Sequence, residues 1–232
     1  MVSRFHYITQ DTEGFSHAQL AEFACKGGAD WVQLRIKTKP IPHPSQREGR
    51  NINKSLLQIA NATKIICKKY GAKLIINDHV HIAKEVGADG VHLGKEDMSP
   101  KEARKILGNN FIIGGSSNTM DDVKWLMAHG VDYIGIGPYR FTSTKEKLNP
   151  ILGLDGIKNI IRTISPSWRG TGGDIPMIAI GGIKLEDVGL LMETGIHGIA
   201  VSSGINMQED KIGMIRKFIS AINTTSPVTR NA

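Results

Sequence analysis

The chain has 232 residues, 40% apolar and 22% charged, with 29 basic against 22 acidic side chains and a formal charge of +7. Those proportions belong to a globular domain and exclude a wholly disordered chain. No run approaches the ~18 uninterrupted apolar residues of a membrane helix, and the first residues lack the apolar core and cleavage site of a signal peptide. The charge itself leaves open nucleic acid, an anionic surface or small phosphorylated ligands.

Eight short apolar runs follow one another: Phe5–Gln10, Trp31–Lys37, Lys73–Asp78, Gly90–Gly94, Phe111–Ser117, Tyr133–Tyr139, Met177–Ile183 and Gly198–Ile205. Each has the length of an ordinary strand. Several are nearly continuous in Val and Ile, as in strands covered on both faces. Helical spacing fills the segments between them. Ser99-Pro100 predicts a capped start for a helix through Leu107. Thr119 predicts the cap of a helix over Met120–His129, and a further helix is expected over Leu185–Glu193. Gly28, Gly87, Gly130 and Gly195 each stand where a helix ends and a short link enters the next strand, a place for a left-handed cap. They precede runs two, four, six and eight, so the chain repeats in pairs of β-α units.

Alternating strands and helices imply a parallel sheet. Eight units of about 29 residues each imply a (β/α)8 TIM barrel, one domain over residues 1–222 with residues 223–232 as a frayed tail. An open doubly wound sheet is the alternative, but Gln10–Gly14 supplies no glycine fingerprint. Thr38–Arg50, Arg140–Pro150 and Ser165–Ile175 are expected as loops. Cys25 and Cys67 lie in helix-like stretches and are expected as buried thiols of a cytoplasmic protein.

The loops after the strands form the active face of such a barrel. Run two places Gln33, Arg35 and Lys37 on one stripe, which suits an oxyanion. Run three ends in Asn77-Asp78, and run four is followed by Lys95-Glu96-Asp97. Asp78 and Asp97 can reach one cation, and oxygen ligands suit Mg²⁺; Asp97 can instead cap a helix, although Ser99 is the better candidate. Ser116 and Ser117 can bond substrate or cap the next helix. Thr142, Ser143, Thr144 and Lys145 form either an anion clamp or a solvated loop. Gly181-Gly182 and Ser202-Ser203, after runs seven and eight, are expected to bind phosphate. His79 and His81 are wrongly spaced for a shared helical face, and His92 is expected as a hydrogen-bonded core histidine rather than a base.

The chain resembles the thiamine phosphate synthase family from about Phe5 to Ile205. The resemblance is carried by Gln33-Leu-Arg-Ile-Lys37, Ile76-Asn-Asp78, His92-Leu-Gly-Lys-Glu-Asp97, Gly114-Gly-Ser116, Gly137-Pro138, Thr142-Ser-Thr-Lys145, Pro150 with Gly153-Leu154, Gly181-Gly182 and Ser202-Ser203. It implies a transferase of thiamine biosynthesis. The enzyme would join a pyrimidine methyl diphosphate to a thiazole phosphate, or its carboxylated form, by Mg²⁺-assisted loss of diphosphate and attack by the thiazole nitrogen. By similarity, Gln33, Leu34, Arg35, Ile36, Lys37, Asn77, Ser116 and Lys145 would hold the pyrimidine diphosphate, with Arg35, Lys37, Ser116 and Lys145 catalytic. Asp78 and Asp97 would bind Mg²⁺, and Thr142, Ser143, Thr144, Gly182, Ser202 and Ser203 the thiazole phosphate. Lys95 departs from the family's usual glutamine, adding a cation near the diphosphate or facing solvent. Pro40, Pro42 and Pro44 lengthen the loop after run two.

A thiazole tautomerase of the same superfamily would not need the two aspartates or the cationic stripe. A sugar-phosphate isomerase would need a strand-end acid/base pair that is not evident. A nucleic-acid binder would need basic and aromatic residues clustered outside the mouth, and only 6% of residues are aromatic. The expected partners are therefore small phosphorylated molecules, with no nucleic acid or membrane; self-association into a homo-oligomer is compatible with the sequence.

Overall fold

The computed structural model describes residues 1–36, 46–141, 150–164 and 175–225. Eight parallel strands close into a barrel in sequence order. They are β1 (Phe5–Ile8), β2 (Trp31–Leu34), β3 (Lys73–Asn77), β4 (Gly90–Leu93), β5 (Ile112–Ser117), β6 (Tyr133–Ile136), β7 (Met177–Ile180) and β8 (Gly198–Val201). The seam is the β1–β8 pair, with Phe5 opposite Ile199 and Tyr7 opposite Val201. The described helices are α1 (His17–Lys26), α2 (Gln46–Tyr70), α3 (Val80–Val86), α4 (Pro100–Leu107), α5 (Met120–Ala128), α6 (Gly153–Thr163), α7 (Val188–Glu193), α8 (Ser203–Asn206) and α9 (Lys211–Thr224). Among the described residues no helix is long and apolar enough to cross a membrane.

Helix starts follow the local chemistry. Ser99 and Thr119 each accept an N–H from the third residue of α4 and α5, whose side chains reach back to form a capping box. Gly28, Gly87, Gly130 and Gly195 all have positive φ, from 62° to 99°. These left-handed turns fold each chain segment from helix into strand. Some boundaries differ from expectation. The apolar runs extend past the ladder, so β2 stops at Leu34 and Arg35 lies beyond it. The Arg35 N–H then bonds the Thr9 hydroxyl at 3.1 Å. Residues 46–50, expected as loop, are the first turns of α2, whose polar start hides its helical period. A 3₁₀ turn over Leu185–Asp187 precedes α7. Helix α9 runs two residues into the expected tail.

Two cores result. The larger lies between strands and helices, where Val32, Leu34, Leu74, Ile113 and Phe218 are buried. The smaller fills the lumen with Ile8, Trp31, Ile75, Tyr133, Ile178 and Ala200. Burying such side chains contributes about 1.5–3 kcal/mol each. His6 joins the lumen core, stacked on Trp31 with ring centroids 4.3 Å apart and its Nε2 3.0 Å from the Ser3 carbonyl. Burial, reinforced by His92, holds its pKa well below the ordinary histidine value.

The packing at the seam can be tested with two glycines. A Cβ on Gly198 would lie 2.6 Å from the Arg4 Cα, whereas one on Gly189 in α7 would meet nothing within 4 Å. We expect Gly198→Ala to cost about 1–3 kcal/mol and Gly189→Ala to stabilise by about 0.4–1 kcal/mol, both read by urea denaturation. Equal effects would contradict the close approach at the seam. Acid offers a second test. His6, His17, His79 and His197 all have lowered pKa values, with burial the largest cause in each. The unfolded chain takes up protons that the folded chain refuses, so stability rises with pH. It is complete above the unfolded histidine value of about 6.5 and falls below it, by up to about 1.4 kcal/mol per pH unit for each such histidine. His6→Phe should flatten this slope between pH 6.5 and 5; an unchanged slope would show that His6 does not contribute to it.

Candidate active site

The C-terminal ends of β2 to β5 carry a row of polar side chains into the lumen. Gln33, 3% exposed, donates its amide to the Asn77 side-chain oxygen at 2.7 Å. Asn77 stands opposite His92 across the β3–β4 ladder. His92 Nε2 is 2.9 Å from the Ser116 hydroxyl, and its Nδ1 is 3.0 Å from the Tyr133 hydroxyl. The buried polar groups of this row are thus paired with one another, as a low-dielectric interior requires. The expectation of a hydrogen-bonded core histidine at position 92 agrees with these contacts.

Alternation along β2 sends Gln33 inward and Leu34 outward into the strand–helix core. Ile36 lines a small apolar cavity with Leu56, Ala60, His79 and Ile82. A contact of either residue with a ligand at the mouth would therefore run through the backbone. Arg35 is half-buried. Its N–H is held by Thr9, which is fully buried and also lies 2.8 Å from His17 Nδ1; His17 Nε2 is 3.1 Å from Asp11. Lys37, Thr142, Ser143, Thr144 and Lys145 lie outside the described residues.

Asp78 is exposed at the end of β3, with a φ of 66° unusual for a residue with a side chain. Its N–H donates to the His92 carbonyl at 2.9 Å, which fixes the turn. Asp97 is exposed after β4 and accepts the Gly94 N–H at 2.6 Å. Its charge opposes the burial that lowers the His79 pKa, which puts Asp97 within electrostatic reach of the β3 end. Among the described residues no group of three or more His, Cys, Asp or Glu could hold a metal. Asp78 and Asp97, the two carboxylates expected at these strand ends, are therefore not part of a larger acidic or histidine cluster among the described residues. Lys95 is tied to Asp122 at 2.5 Å. Burial pushes the Asp122 carboxyl up, but Lys95 and the backbone of Asn118 and Thr119 outweigh it and hold the pKa low. Lys95 is therefore a partner of α5.

The other half of the mouth is built from β6 to β8. Gly182 has a φ of 65°, and a Cβ there would lie 2.7 Å from the Phe141 carbonyl oxygen. The glycine lets the segments after β6 and β7 meet. Arg140 grips buried Asp187 through two contacts, 2.9 and 2.6 Å, which ties the same segments together. Asn118 donates to the carbonyls of Gly137 and Pro150 at 3.2 and 2.7 Å, fastening the chain on either side of the Thr142–Lys145 motif. Ser202 donates to Gln10 at 3.0 Å and accepts from Asn206 at 3.3 Å. Asn206 also bonds the Ile8 carbonyl and the Tyr7 hydroxyl. Ser203 opens α8 beside it. Thr9, His17, Asn118 and Asn206 escape a reading of sequence because their partners are distant or their spacing is unremarkable.

Known proteins are similar to this chain over nearly its whole length. A family model described as thiamine monophosphate synthase matches residues 5–205. The chain is 42% identical over 214 residues to the thiamine-phosphate synthase of Phocaeicola vulgatus, covering 92% of this chain and 95% of that one. It is 41% identical over 218 residues to the thiamine-phosphate synthase of Flavobacterium johnsoniae, covering 94% and 95%. Among solved structures, thiamine phosphate pyrophosphorylase from Pyrococcus furiosus superimposes with a TM-score of 0.78 at 27% identity, covering 96% of each chain. The chain belongs to the thiamine monophosphate synthase family.

Proposed function

We propose that this chain makes thiamine phosphate in the cytoplasm by joining a pyrimidine methyl diphosphate to a thiazole phosphate. The observation that carries the reading is the paired polar row Gln33–Asn77 and His92–Ser116. It lies beside two exposed carboxylates at one rim of a barrel of this family. In the reaction, the bond from the methylene carbon to the diphosphate oxygen breaks, and its electron pair leaves with the diphosphate. The lone pair of the thiazole nitrogen then forms the new carbon–nitrogen bond. That nitrogen carries no proton, so the protein needs no general base. It must neutralise charge on the leaving group and align two reactants.

The chain's residues divide this work. Arg35, Lys37 and Lys145 supply positive charge to the diphosphate, with Gln33, Asn77 and the backbone around Leu34 and Ile36 shaping its seat. Ser116 meets the pyrimidine diphosphate from β5. Asp78 and Asp97 fit Mg²⁺, an ion that takes one or two carboxylates and fills its shell with water and substrate phosphates. When bound, Mg²⁺ supplies further charge neutralisation to the diphosphate oxygens. Gly182, Ser202 and Ser203, with Thr142, Ser143 and Thr144, hold the thiazole phosphate across the mouth. The Asn206 and Gln10 bonds fix the Ser202 hydroxyl in place for that task.

A coupling assay with both substrates should yield thiamine phosphate and diphosphate only when a divalent metal is present. No product from folded protein under any divalent metal would overturn the reading. Asp78→Ala should lower turnover by about 10²–10³-fold, the range for loss of one transition-state electrostatic contact, while thiazole phosphate still binds by calorimetry. Unchanged turnover would remove Asp78 from the metal site.

A further inference from the structure

The relay from Tyr133 through His92 to Ser116 crosses the lumen, and the reaction proposed above gives a task only to its last member, Ser116. The strands are shaped around it. A Cβ on Gly114 would lie 2.6 Å from the Tyr133 hydroxyl oxygen, and one on Gly135 would lie 3.2 Å from His92 Cε1. Two glycines in adjacent strands thus leave room for two rings, at the entropic cost that glycine carries in a strand. His92 is 5% exposed and Tyr133 1%, so neither ring is served by bulk water.

The order of the three groups decides where the protons lie. A neutral imidazole has one N–H and one lone pair, and the partner of one nitrogen sets the role of the other. Tyr133 is an alcohol buried among apolar rings, and burial pushes its pKa far above the tyrosine range, so it keeps its proton. A buried O–H requires an acceptor, and His92 Nδ1 lies 3.0 Å away. With Nδ1 as acceptor, the ring proton sits on Nε2 and is donated to the Ser116 oxygen, 2.9 Å distant. A serine oxygen that accepts on this side keeps its own proton for another partner. Ser116 is only partly buried and stands at the C-terminal end of β5, so that proton faces the mouth.

Building on the proposed function, we propose that His92 is a positioning residue. Tyr133 fixes its tautomer, and His92 in turn commits Ser116 to donate to the anionic oxygens of the pyrimidine diphosphate rather than to accept from the pyrimidine ring. An O–H bond to an oxygen that gains charge as the carbon–oxygen bond breaks is stronger in the transition state than before it. The relay therefore acts on turnover more than on binding.

The test has a spectroscopic arm and a kinetic arm. In protein labelled with ¹⁵N-histidine, long-range correlation spectra distinguish a protonated ring nitrogen from a bare one. The His92 signals are identified by their loss in His92→Gln. The expected result is a bare Nδ1 and a protonated Nε2, and a proton on Nδ1 would overturn the proposal. In the coupling assay, His92→Asn, which is too short to reach Ser116, should lower kcat roughly 10- to 100-fold, the range for a charge-assisted hydrogen bond. KM for the thiazole phosphate should not change. His92→Gln, whose amide nitrogen replaces Nε2–H, should recover most of the loss. In a Ser116→Ala background, His92→Asn should cost nothing further, because the group it positions is gone. Losses that multiply would overturn the proposal. A wild-type chain that makes no product would sink the functional reading and its substrate clause, whereas a wrong tautomer in an active enzyme would sink the positioning role alone.

Discussion

Closure of eight parallel strands governs where chemistry can sit in this molecule. Once Phe5 pairs with Ile199 across the seam, every strand points the same way and every C-terminal end opens on one mouth. Side chains that alternate inward near those ends cannot avoid one another. Gln33 meets Asn77, and His92 meets Ser116, although each pair is far apart in the chain. The lumen below is packed with Trp31, Tyr133 and Ile178, which leaves the polar row no water on its inner side. It must satisfy itself, and in doing so it becomes rigid. In the proposed reaction, this preorganised row seats the departing diphosphate.

How much of this is legible in the sequence depends on the distance over which each interaction acts. Caps are local: Ser99, Thr119 and the glycines at 28, 87, 130 and 195 announce helix ends within four residues, and the structure bears them out. Strand positions follow from apolar runs, but their ends do not. Hydrophobicity continues through Ile36 while the ladder stops at Leu34, because Arg35 turns its N–H to Thr9. The start of α2 reads as loop for the same kind of reason, since its polar first turn shows no apolar period. The strand-end residues are legible through the resemblance of their motifs. The groups that hold them are not. Tyr133 looks like any strand aromatic until the fold sets its hydroxyl beside a histidine 41 residues earlier. His17 and Asn206 carry no sequence signal of their contacts with Thr9 and Ser202.

The basic charge of the chain divides between structural ion pairs and the cations of the proposed site. Lys95, Arg104 and Arg140 are each committed to an aspartate: Asp122, Asp132 and Asp187 respectively. These pairs fasten loops and helices. Arg35 has a different setting, with its backbone fixed by Thr9 at the rim. In the proposed reaction it acts with Lys37 and Lys145 on the diphosphate, while Gly182, Ser202 and Ser203 serve a second anion.

The proposed chemistry depends on two anion sites side by side, and calorimetry tests them most directly. With magnesium present, the folded protein should bind one diphosphate and one thiazole phosphate at the same time, and neither should displace the other. Competition between the two for a single site would contradict the proposed arrangement.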